Sequence, residues 1–418
     1  MENATGPLSG IRVIDFSWIV AGPQATRILA DFGAEVLRIE YEGRLDSIRI
    51  NGQAPGAAPE SLNASGFFNN LNRNKLSMTL NVRHPMGMDL LKQLIAKADV
   101  VLENFSAGTL DTWGLSYEAM QEINPAIIYI SMSGFGQTGR NRLYTTWGPT
   151  AQALSGLTFL SGLPGEPPAG WGYSYMDHTA GYYGAMAVLM ALHHRNRTGE
   201  GQRIDLSQVE AGMVLTGPTI LDYAVNGRPA RRPGFPPGNR SPHPATAPHN
   251  TYRCAGTDSA GQTRWIAIAV STEEQWQALV RAMGNPAWAS GPQFATGLDR
   301  VDHQDDLDRH IEAWTMTRDA HETMYLLQGM GVPAAAVQSS EDRIEHDPQL
   351  RARGFYPVAD HPELGPHRFE GMPAHLSRTP WTLRSGAPLL GEHNEFVCKE
   401  LLGMTDEQFI GYFENGVF

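Results

Sequence analysis

The alternation of short apolar runs with helix-like segments most restricts how this chain can fold. Residues 11–16 (IRVIDF) form an apolar run with a β-branched bias, and residues 25–32 place large apolar side chains on one helical face before Gly33. A second strand-like run follows at 34–40. Two strands that are joined by one short helix lie parallel to each other, and the connection between them is a right-handed crossover. The N-terminal segment therefore predicts a βαβ unit.

The same alternation continues through the first half of the chain. We expect strands at 76–82, 99–102, 126–131 and 202–206, and helices at 85–98, 117–123, 181–195 and 207–215. Such alternation is typical of a parallel sheet with helices on both faces. The predicted fold class is α/β, with a doubly wound, Rossmann-like large domain and a smaller α+β domain.

The composition changes sharply between residues 226 and 248. This segment, NGRPARRPGFPPGNRSPHPATAP, is rich in Pro, Gly and Arg and is a poor candidate for a regular element. Beyond it, a strand is expected at 265–270 and helices at 305–314 and 321–329. The expected organisation is a large α/β domain over 1–225, a linker and functional loop over 226–248, a small α+β domain over 249–338, and a segment over 339–418 that returns to the large domain.

Charge and cysteine content disfavour several classes of function. The chain has 32 Lys+Arg against 44 Asp+Glu, and its net charge of −12 argues against bulk binding to nucleic acid or an anionic membrane. Cys254 and Cys398 lie far apart without CxxC spacing, which fits neither a disulfide scaffold nor a cysteine zinc site. The N-terminus lacks signal character, and the most apolar stretch, 185–192, is shorter than the roughly 20 residues of a membrane span. We expect a soluble, cytoplasmic protein.

One glycine-rich motif raises the question of nucleotide binding. Residues 134–139 (GFGQTG) match GxGxxG directly after a predicted strand, as in nicotinamide and flavin sites. The following segment is a poor helix start, and no acidic residue lies between Glu122 and Glu166 to bind a ribose. A structural turn is favoured, with an NAD-dependent oxidoreductase as a minor alternative. The sequence holds no HExxH, P-loop or GxSxG motif, and we expect no metal.

Asp177 is the carboxylate that stands out. It lies in GYSYMDHTAG, immediately before the predicted long helix. An Asp at this place is most often an N-cap, and the residues alone favour that role. The alternative is a nucleophile that attacks an activated carbonyl and forms a covalent intermediate. The two roles are compatible, because a helix N-terminus favours negative charge.

Six segments, taken in order, resemble the class III CoA-transferase family, which includes formyl-CoA and carnitine CoA-transferases. They are PLSGIRVIDFSWIVAGPQATRILADFGAEVLRIE, NRNKLSMTLNV, ADVVLENF, SMSGFGQTG, HHRNRTGEGQRIDLSQVEA and APLLGEHNEFVCKELLG. The resemblance covers nearly the whole chain. It implies an interlocked homodimer whose substrates are coenzyme A thioesters and small carboxylic acids, with no tightly bound cofactor.

The resemblance also implies the site residues. The family's nucleophilic aspartate precedes a helix in a segment like YMDHTAG, which assigns that role to Asp177. Implied CoA contacts are Val20 and Ala21, then Asn81, Val82 and Arg83, then Asn104, Phe105 and Ser106. Arg38 and Lys75 are either phosphate partners or surface charges. Implied substrate contacts are Trp147, Gly238 and Asn239.

Three departures from the family pattern limit this transfer of roles. The chain has ENFSAG where many relatives have ENFRPG, so a basic CoA contact is missing at Ser106. Trp147-Gly148 stands where formyl-CoA transferases have a Tyr-Glu pair. Residues 237–240 (PGNR) replace a run of glycines.

The reaction implied by the resemblance is transfer of CoA from an acyl-CoA to a free carboxylic acid, through aspartyl-anhydride and aspartyl-CoA thioester intermediates, without ATP or metal. Because water would hydrolyse the anhydride, we expect a lid over 238–248, with a plain domain linker as the alternative. Arginines 231, 232 and 240 are either solvated linker charges or partners of a second substrate carboxylate. Trp147, Trp171, Tyr173 and Tyr175 are either core residues or the lining of an acyl pocket.

The nearest competing reaction is that of α-methylacyl-CoA racemase, which has the same fold. It needs a histidine base at the position of Trp147, and His178 is the replacement candidate nearby. A non-catalytic CoA-binding relative is a further alternative, which the retention of Asp177 disfavours.

Overall fold

The computed structural model describes residues 6–54, 58 and 61–418. Its internal contacts divide the chain into two units. The first comprises Met1–Phe159, Gly170–Gly227 and Arg353–Phe418, and the second comprises Leu160–Ala169 and Arg228–Ala352. The first unit is therefore built from three separate stretches of sequence.

Among the described residues, six parallel strands form the sheet of the first unit. They are β1 (Arg12–Asp15), β2 (Glu35–Glu40), β3 (Leu76–Thr79), β4 (Val100–Glu103), β5 (Ile128–Ser133) and β6 (Arg203–Ser207). Their order is β3-β2-β1-β4-β5-β6, and every neighbouring pair is parallel. This confirms the predicted doubly wound fold, and the strand order reverses between β1 and β4.

Helices cover both faces of this sheet. Up to residue 226 they are α1 (Ala21–Asp31), α2 (Ser47–Ile50), α3 (Gly66–Asn72), α4 (Pro85–Ile95), α5 (Thr109–Thr112), α6 (Tyr117–Ile123), α7 (Gly148–Leu154), α8 (Leu157–Leu160), α9 (Tyr175–Thr198), α10 (Gln208–Met213) and α11 (Gly217–Asn226). Successive side chains of β1 point to opposite faces: Val13 belongs to the core formed with α1 and α9, and Ile14 to the core formed with α4.

Two glycines allow α9 to pack closely against α1 and β5. A Cβ atom at Gly181 would lie 2.6 Å from Cγ of Gln24 on α1, and one at Gly184 would lie 2.9 Å from the Met132 side chain on β5. At Gly181 the Ala21 carbonyl oxygen also lies 2.9 Å from that Cβ, so a larger side chain there would displace backbone. Helix α9 begins at Tyr175 rather than at the predicted 181. Gly181, although a poor helix former, lies inside the helix, where it packs against α1.

The second unit contains a small antiparallel sheet and its own core. Its strands are β7 (Ser241–Pro242), β8 (Ala245–Thr246), β9 (His249–Thr257), β10 (Thr263–Ala269) and β11 (Ala334–Ala336), and its helices are α12 (Glu273–Ala282), α13 (Gly297–Asp302), α14 (Gln304–Thr315), α15 (Ala320–Gly329) and α16 (Pro348–Ala352). The order of the larger sheet is β11-β10-β9. Trp276, Leu279 and Phe294 lie in its buried core. The Pro-rich segment is not wholly irregular, since it contains the short β7–β8 pair.

The C-terminal segment covers the β3 edge of the first unit. It contains β12 (Val358–His361), β13 (Gly365–Arg368), α17 (Asn394–Phe396), a π-helical turn (Val397–Leu401) and α18 (Asp406–Glu414). The His393 N–H donates to Ser77 O at 2.9 Å, and the Thr79 N–H donates to Asn394 Oδ1 at 2.9 Å. No helix within the described residues has both the length and the apolarity needed to span a bilayer.

Candidate active site

A cavity of about 210 Å³ lies at the carboxyl end of the parallel sheet, where the strand order reverses. Residues that follow β1, β4 and β5 line it, together with residues of α9 and α10. Ligands of doubly wound sheets bind at this position. Seven residues implied by the sequence are among those lining it: Val20, Ala21, Asn104, Phe105, Ser106, Trp147 and Asp177. We take this cavity as the candidate active site.

Asp177 lies in the first turn of α9. Ser174 occupies the N-cap position, so the residue-based preference for Asp177 as the cap is wrong. The Asp177 Oδ1 atom accepts a hydrogen bond from Gln208 Nε2 at 3.0 Å. The Ser174 side chain and the Gly148 backbone N–H also lower the pKa of this carboxylate. The Gln208 amide therefore holds the carboxylate in place.

Burial sets the protonation behaviour of this carboxylate. Asp177 is 8% exposed, and burial raises its pKa to about 6, against the opposing effect of the hydrogen bonds from Ser174, Gln208 and Gly148. The group is thus ionised at neutral pH but poorly solvated. A carboxylate in this state is suited to nucleophilic attack on an activated carbonyl.

Gly148 approaches the carboxylate so closely that another residue would collide with it. A Cβ atom built there would lie 2.7 Å from Asp177 Oδ2 and 2.8 Å from Cα of Ser174. Gly148 is also the first residue of α7, so its N–H is a helix N-terminal donor. Sequence reasoning noted Trp147-Gly148 only as a departure from the family. The usable signal was a glycine before a proline at a helix start.

The loop between β1 and α1 is held in a strained conformation. Ile19 has φ 64°, which is costly for a β-branched residue. Its N–H donates to Asp46 Oδ2 at 3.0 Å. The Asn104 side chain accepts from the Trp18 N–H at 2.7 Å and donates to the Trp18 carbonyl at 2.9 Å. These contacts fix the backbone that leads into Val20 at the mouth of the cavity.

Arg38 and Lys75 lie beneath this loop rather than in the cavity. Both side chains are fully buried. Arg38 donates to the Ser17 carbonyl at 2.6 Å and to Asp46 Oδ2 at 2.7 Å. Lys75 Nζ donates to Asp15 Oδ2 at 3.1 Å. With these partners, both cations support the loop, and neither is a direct phosphate contact in this arrangement.

Two other implied groups lie apart from the cavity lining. Asn81, Val82 and Arg83 follow β3 at the edge of the sheet, where the Asn81 N–H donates to the Val417 carbonyl at 2.7 Å. Gly238 and Asn239 belong to the second unit, and Asn239 Nδ2 donates to Thr251 Oγ1 at 2.8 Å. The predicted residues that line the cavity therefore come from the loops after β1 and β4, from Trp147 and from α9.

The remaining candidates have other surroundings. Tyr173, Tyr175 and His178 line a separate cavity of about 590 Å³ together with Glu370. His178 is thus not among the residues lining the Asp177 cavity. Arg240, in the second unit, donates to Asp305 and Asp308, both at 2.7 Å. Its guanidinium group is therefore hydrogen-bonded to carboxylates of the same unit.

The GFGQTG segment forms a structural turn. Gly136 has φ 78°, and the Gln137 N–H donates to Asp205 Oδ1 at 2.8 Å. Gln137 Oε1 accepts from the Gly108 N–H at 3.0 Å, which ties the turn to the loop after β4. The next helix begins only at Gly148, so no helix N-terminus follows the glycines. This geometry does not fit a dinucleotide pyrophosphate site.

Sequence reasoning assigned no role to Ser174 or Gln208. Gln208 is the first residue of α10 and directly follows Ser207 of β6. Ser207 and Gln208 lie in the family-like segment HHRNRTGEGQRIDLSQVEA, in which no residue had an assigned function. Their roles follow from the meeting of α9 and α10, a tertiary contact that one sequence does not reveal.

Comparison with known proteins identifies similar chains. The family model described as CoA-transferase family III matches residues 8–394. A succinyl-CoA–D-citramalate CoA-transferase of Chloroflexus aurantiacus is 34% identical, covering 96% of this chain and 95% of the relative. A formyl-CoA:oxalate CoA-transferase of Rhodopseudomonas palustris is 32% identical, covering 99% and 97%. The crystal structure of a CAIB/BAIF family protein from Brucella suis is 31% identical with a TM-score of 0.83, covering 95% and 100%.

Proposed function

The chain belongs to CoA-transferase family III, and on that premise we propose that it moves CoA from an acyl-CoA to a free carboxylic acid with Asp177 as the nucleophile. The observation that carries the proposal is the buried Asp177 carboxylate, which the Gln208 amide holds in a cavity at the switch point of the sheet. No other acidic residue lines this cavity among the residues that the structure describes.

The proposed reaction runs through two kinds of activated aspartate. Asp177 attacks the thioester carbonyl, which forms a mixed anhydride and expels CoA thiolate. The thiolate then attacks the Asp177 carbonyl, which releases the first carboxylate and leaves an aspartyl-CoA thioester. The incoming carboxylate attacks the carbonyl of this thioester, which forms a second mixed anhydride and expels CoA thiolate. The thiolate then attacks the acyl carbonyl of that anhydride, which forms the new acyl-CoA and releases the Asp177 carboxylate. Each step exchanges one activated acyl bond for another.

We propose that CoA enters between the loops after β1 and β4. The N-terminus of α1 has no side-chain cap, and its Val20 and Ala21 line the cavity. Such an N-terminus attracts anionic groups. Phe105 and Trp18 meet edge to face at 5.7 Å beside Asn104 and add an apolar wall. Contacts from Asn81, Val82, Arg83, Gly238 and Asn239 stay predictions, as does closure of segment 238–248 over bound substrates.

We propose short-chain dicarboxylic acids as the substrate class. The two relatives described above are named for succinyl-CoA with citramalate and for formyl-CoA with oxalate. The acids succinate, citramalate and oxalate all carry a second carboxylate. Succinyl-CoA with a panel of dicarboxylates is therefore the first assay to run.

We also propose a homodimer, supported by the surface of α11. None of the residues of this helix is buried, and Ile220, Leu221, Tyr223 and Val225 are each more than half exposed. Exposed apolar patches of this kind mark interaction surfaces. A second copy of the chain is the occupant that we propose.

The deciding experiment combines exchange and trapping. Purified protein is mixed with succinyl-CoA and each labelled dicarboxylate, and label should appear in new acyl-CoA without ATP. Hydroxylamine or borohydride should mark Asp177 in the presence of acyl-CoA, as detected by peptide mass spectrometry. Asp177→Asn should abolish exchange while retaining CoA binding. Full exchange by that variant contradicts the nucleophile assignment, and deuterium incorporation at the α-carbon without CoA exchange supports a racemase instead.

A further inference from the structure

The GFGQTG turn contains a buried side-chain amide that reaches the wall of the candidate active site. Gln137 is 7% exposed. Its Oε1 accepts from the Gly108 N–H at 3.0 Å, and its Nε2 donates to Ser131 Oγ at 2.5 Å. Gly108 is the last residue of the loop after β4 (residues 104–108), and the first three residues of that loop line the cavity. Gln137 therefore holds one end of a cavity wall.

The same set of hydrogen bonds returns to the other end of this loop. Ser131 Oγ donates to Glu103 Oε1, and Glu103 Oε2 accepts from the Phe105 N–H at 2.6 Å. Glu103 and Ser131 are both almost completely buried. We call Glu103, Ser131 and Gln137 the Gln137 network. Because it binds the loop near both ends, and because buried hydrogen-bonded networks are rigid when satisfied, it restricts the loop to one conformation.

The glycines of the motif place Gln137 at this position. Gly136 has φ 78°, a conformation that glycine adopts without strain. A Cβ atom at Gly136 would also lie 3.0 Å from Asp205 Oδ1, the atom that accepts from the Gln137 N–H at 2.8 Å. Asp205 belongs to β6, so the turn is joined to the sheet. The motif thus fixes the backbone from which the Gln137 side chain extends.

The loop after β4 also supports the loop after β1. The Asn104 side chain makes two hydrogen bonds with the Trp18 backbone, and the Phe105 ring meets the Trp18 ring edge to face at 5.7 Å. A displacement of the first loop would therefore disturb the second. Both walls of the proposed CoA entrance depend on the Gln137 network.

We propose that Gln137 is a positioning residue, which holds the loop after β4 in the conformation that binds CoA. The inference rests on the proposed function, in which CoA enters between the loops after β1 and β4. With the network intact, the loop is already ordered before CoA arrives. Without it, only a fraction of the molecules has the binding conformation, and the affinity falls by that fraction. Asp177 keeps its bond to Gln208, so its attack on the thioester is unchanged.

The test compares Gln137→Met with wild type, because methionine has a similar size and makes neither bond of the amide. We expect the Kd for CoA, measured by calorimetry, to rise at least about fivefold. The KM for acyl-CoA should rise with it, while kcat at saturating substrate stays within about twofold, as when binding that is common to ground and transition states is removed.

Asn124→Leu is the matched control. The Asn124 side-chain amide donates to the Ala98 carbonyl at 2.8 Å and accepts from the Ala126 N–H at 3.1 Å. It precedes β5, at the end of the sheet opposite the cavity. This variant loses a comparable amide, and its Kd for CoA should stay within about twofold of the wild-type value.

A double-mutant cycle tests whether the loop is held by one network. Glu103→Gln alters the network at the Phe105 end of the loop. If both residues act through the same loop conformation, the double variant should bind CoA about as weakly as the weaker single variant. Effects on Kd that multiply would show two independent contributions and would overturn the inference.

The remaining outcomes are equally decisive. A Kd within about twofold of wild type in Gln137→Met overturns the inference, and so does an equal rise of Kd in Asn124→Leu or a lower kcat at unchanged Kd. If Gln137→Met does not fold, Ser131→Ala breaks the same network, and an unchanged Kd in that variant overturns the inference as well. A wild type that exchanges CoA beside an unaffected Gln137→Met overturns this inference alone. A wild type that binds no CoA overturns the proposed function and this inference with it.

Discussion

The Asp177 carboxyl group is subject to two opposing influences on its pKa, and burial prevails. Because the pKa lies at about 6, the nucleophilic form is lost as the pH falls through that value. We expect kcat/KM to decrease about tenfold per pH unit below this pKa and to level off above it. A pH–rate profile with the best substrate pair checks this. An acidic limb centred near pH 4 would contradict it.

The same shift makes a prediction for stability. The folded state binds the Asp177 proton more tightly than the unfolded chain, whose aspartate titrates near 3.8, so this group lowers the free energy of unfolding as the pH rises from about 4 to 6. The full effect is roughly 3 kcal/mol. Wild type should therefore lose stability relative to Asp177→Asn across this range. Denaturant unfolding of both proteins at several pH values measures the difference, and parallel curves would refute the prediction.

Gly148 supplies a third prediction at this scale. In Gly148→Ala the new methyl group would lie 2.7 Å from Asp177 Oδ2, so the carboxylate or α7 must move. We expect kcat to fall by about tenfold or more with little change in CoA affinity, since misplacing a reacting group mainly affects the transition state. Gly411→Ala in α18 is the control, because a Cβ there meets nothing within 4 Å. If Gly148→Ala were as active as Gly411→Ala, the close approach of residue 148 to the Asp177 carboxylate would not matter for catalysis.

How far the sequence predicts single residues depends on whether a motif carries them. Asp177, Val20 and Asn104 lie in family-like segments, and all three line the cavity. Gly148 had no such signal, since its importance comes from its close approach to Asp177 across the fold. Arg38 was a candidate from its charge alone, and its burial beneath the loop follows from pairing with Asp46, which pattern reasoning does not reveal.

At the scale of elements, the loop between β1 and α1 depends on the buried Asp46–Arg38 pair. Asp46→Asn removes the charge that pairs with Arg38 and weakens the bond to the Ile19 N–H. We expect a loss of about 1.5–3 kcal/mol in unfolding free energy, because a buried charge-assisted hydrogen bond is lost while Arg38 keeps Glu40 as a second partner. We also expect weaker CoA binding, measured by calorimetry. The control Asp306→Asn removes the exposed pair with Arg309 and should cost less than about 1 kcal/mol; equal losses in both variants would refute this.

Element boundaries were predictable where local signals and tertiary packing agree. Helix α6 spans the predicted 117–123, with Ser116 as a cap that accepts from the Ala119 N–H. Helix α9 begins earlier than predicted, because a glycine needed for contact with Gln24 resembles a helix start in sequence. Local sequence signals thus predict the bounds of an element such as α6 correctly. They do not predict the bounds of an element such as α9, which packs closely against a neighbouring helix.

At the scale of the whole molecule, the proposed homodimer makes the last prediction. Leu221→Glu places a charge on the exposed apolar surface of α11, where Leu221 is 63% exposed. We expect the dimer to dissociate, because burying an unpaired charge at an interface is unfavourable. Light scattering coupled to size-exclusion chromatography checks this. Val358→Glu, at a 58% exposed position on β12, is the control and should remain dimeric; a dimer in both variants would rule out this surface.

The first unit is discontinuous in sequence, and this has a consequence for synthesis on the ribosome. Residues 353–418 return to the first unit, where contacts such as the His393 N–H to Ser77 O cover the β3 edge. An uncovered edge strand is a template for aggregation. As chains emerge from the N-terminus onward, the β3 edge stays uncovered until residues 353–418 have been made. Nascent chains of this protein should therefore need protection by chaperones over that interval, although all six strands of the sheet and the nucleophile are made before it begins.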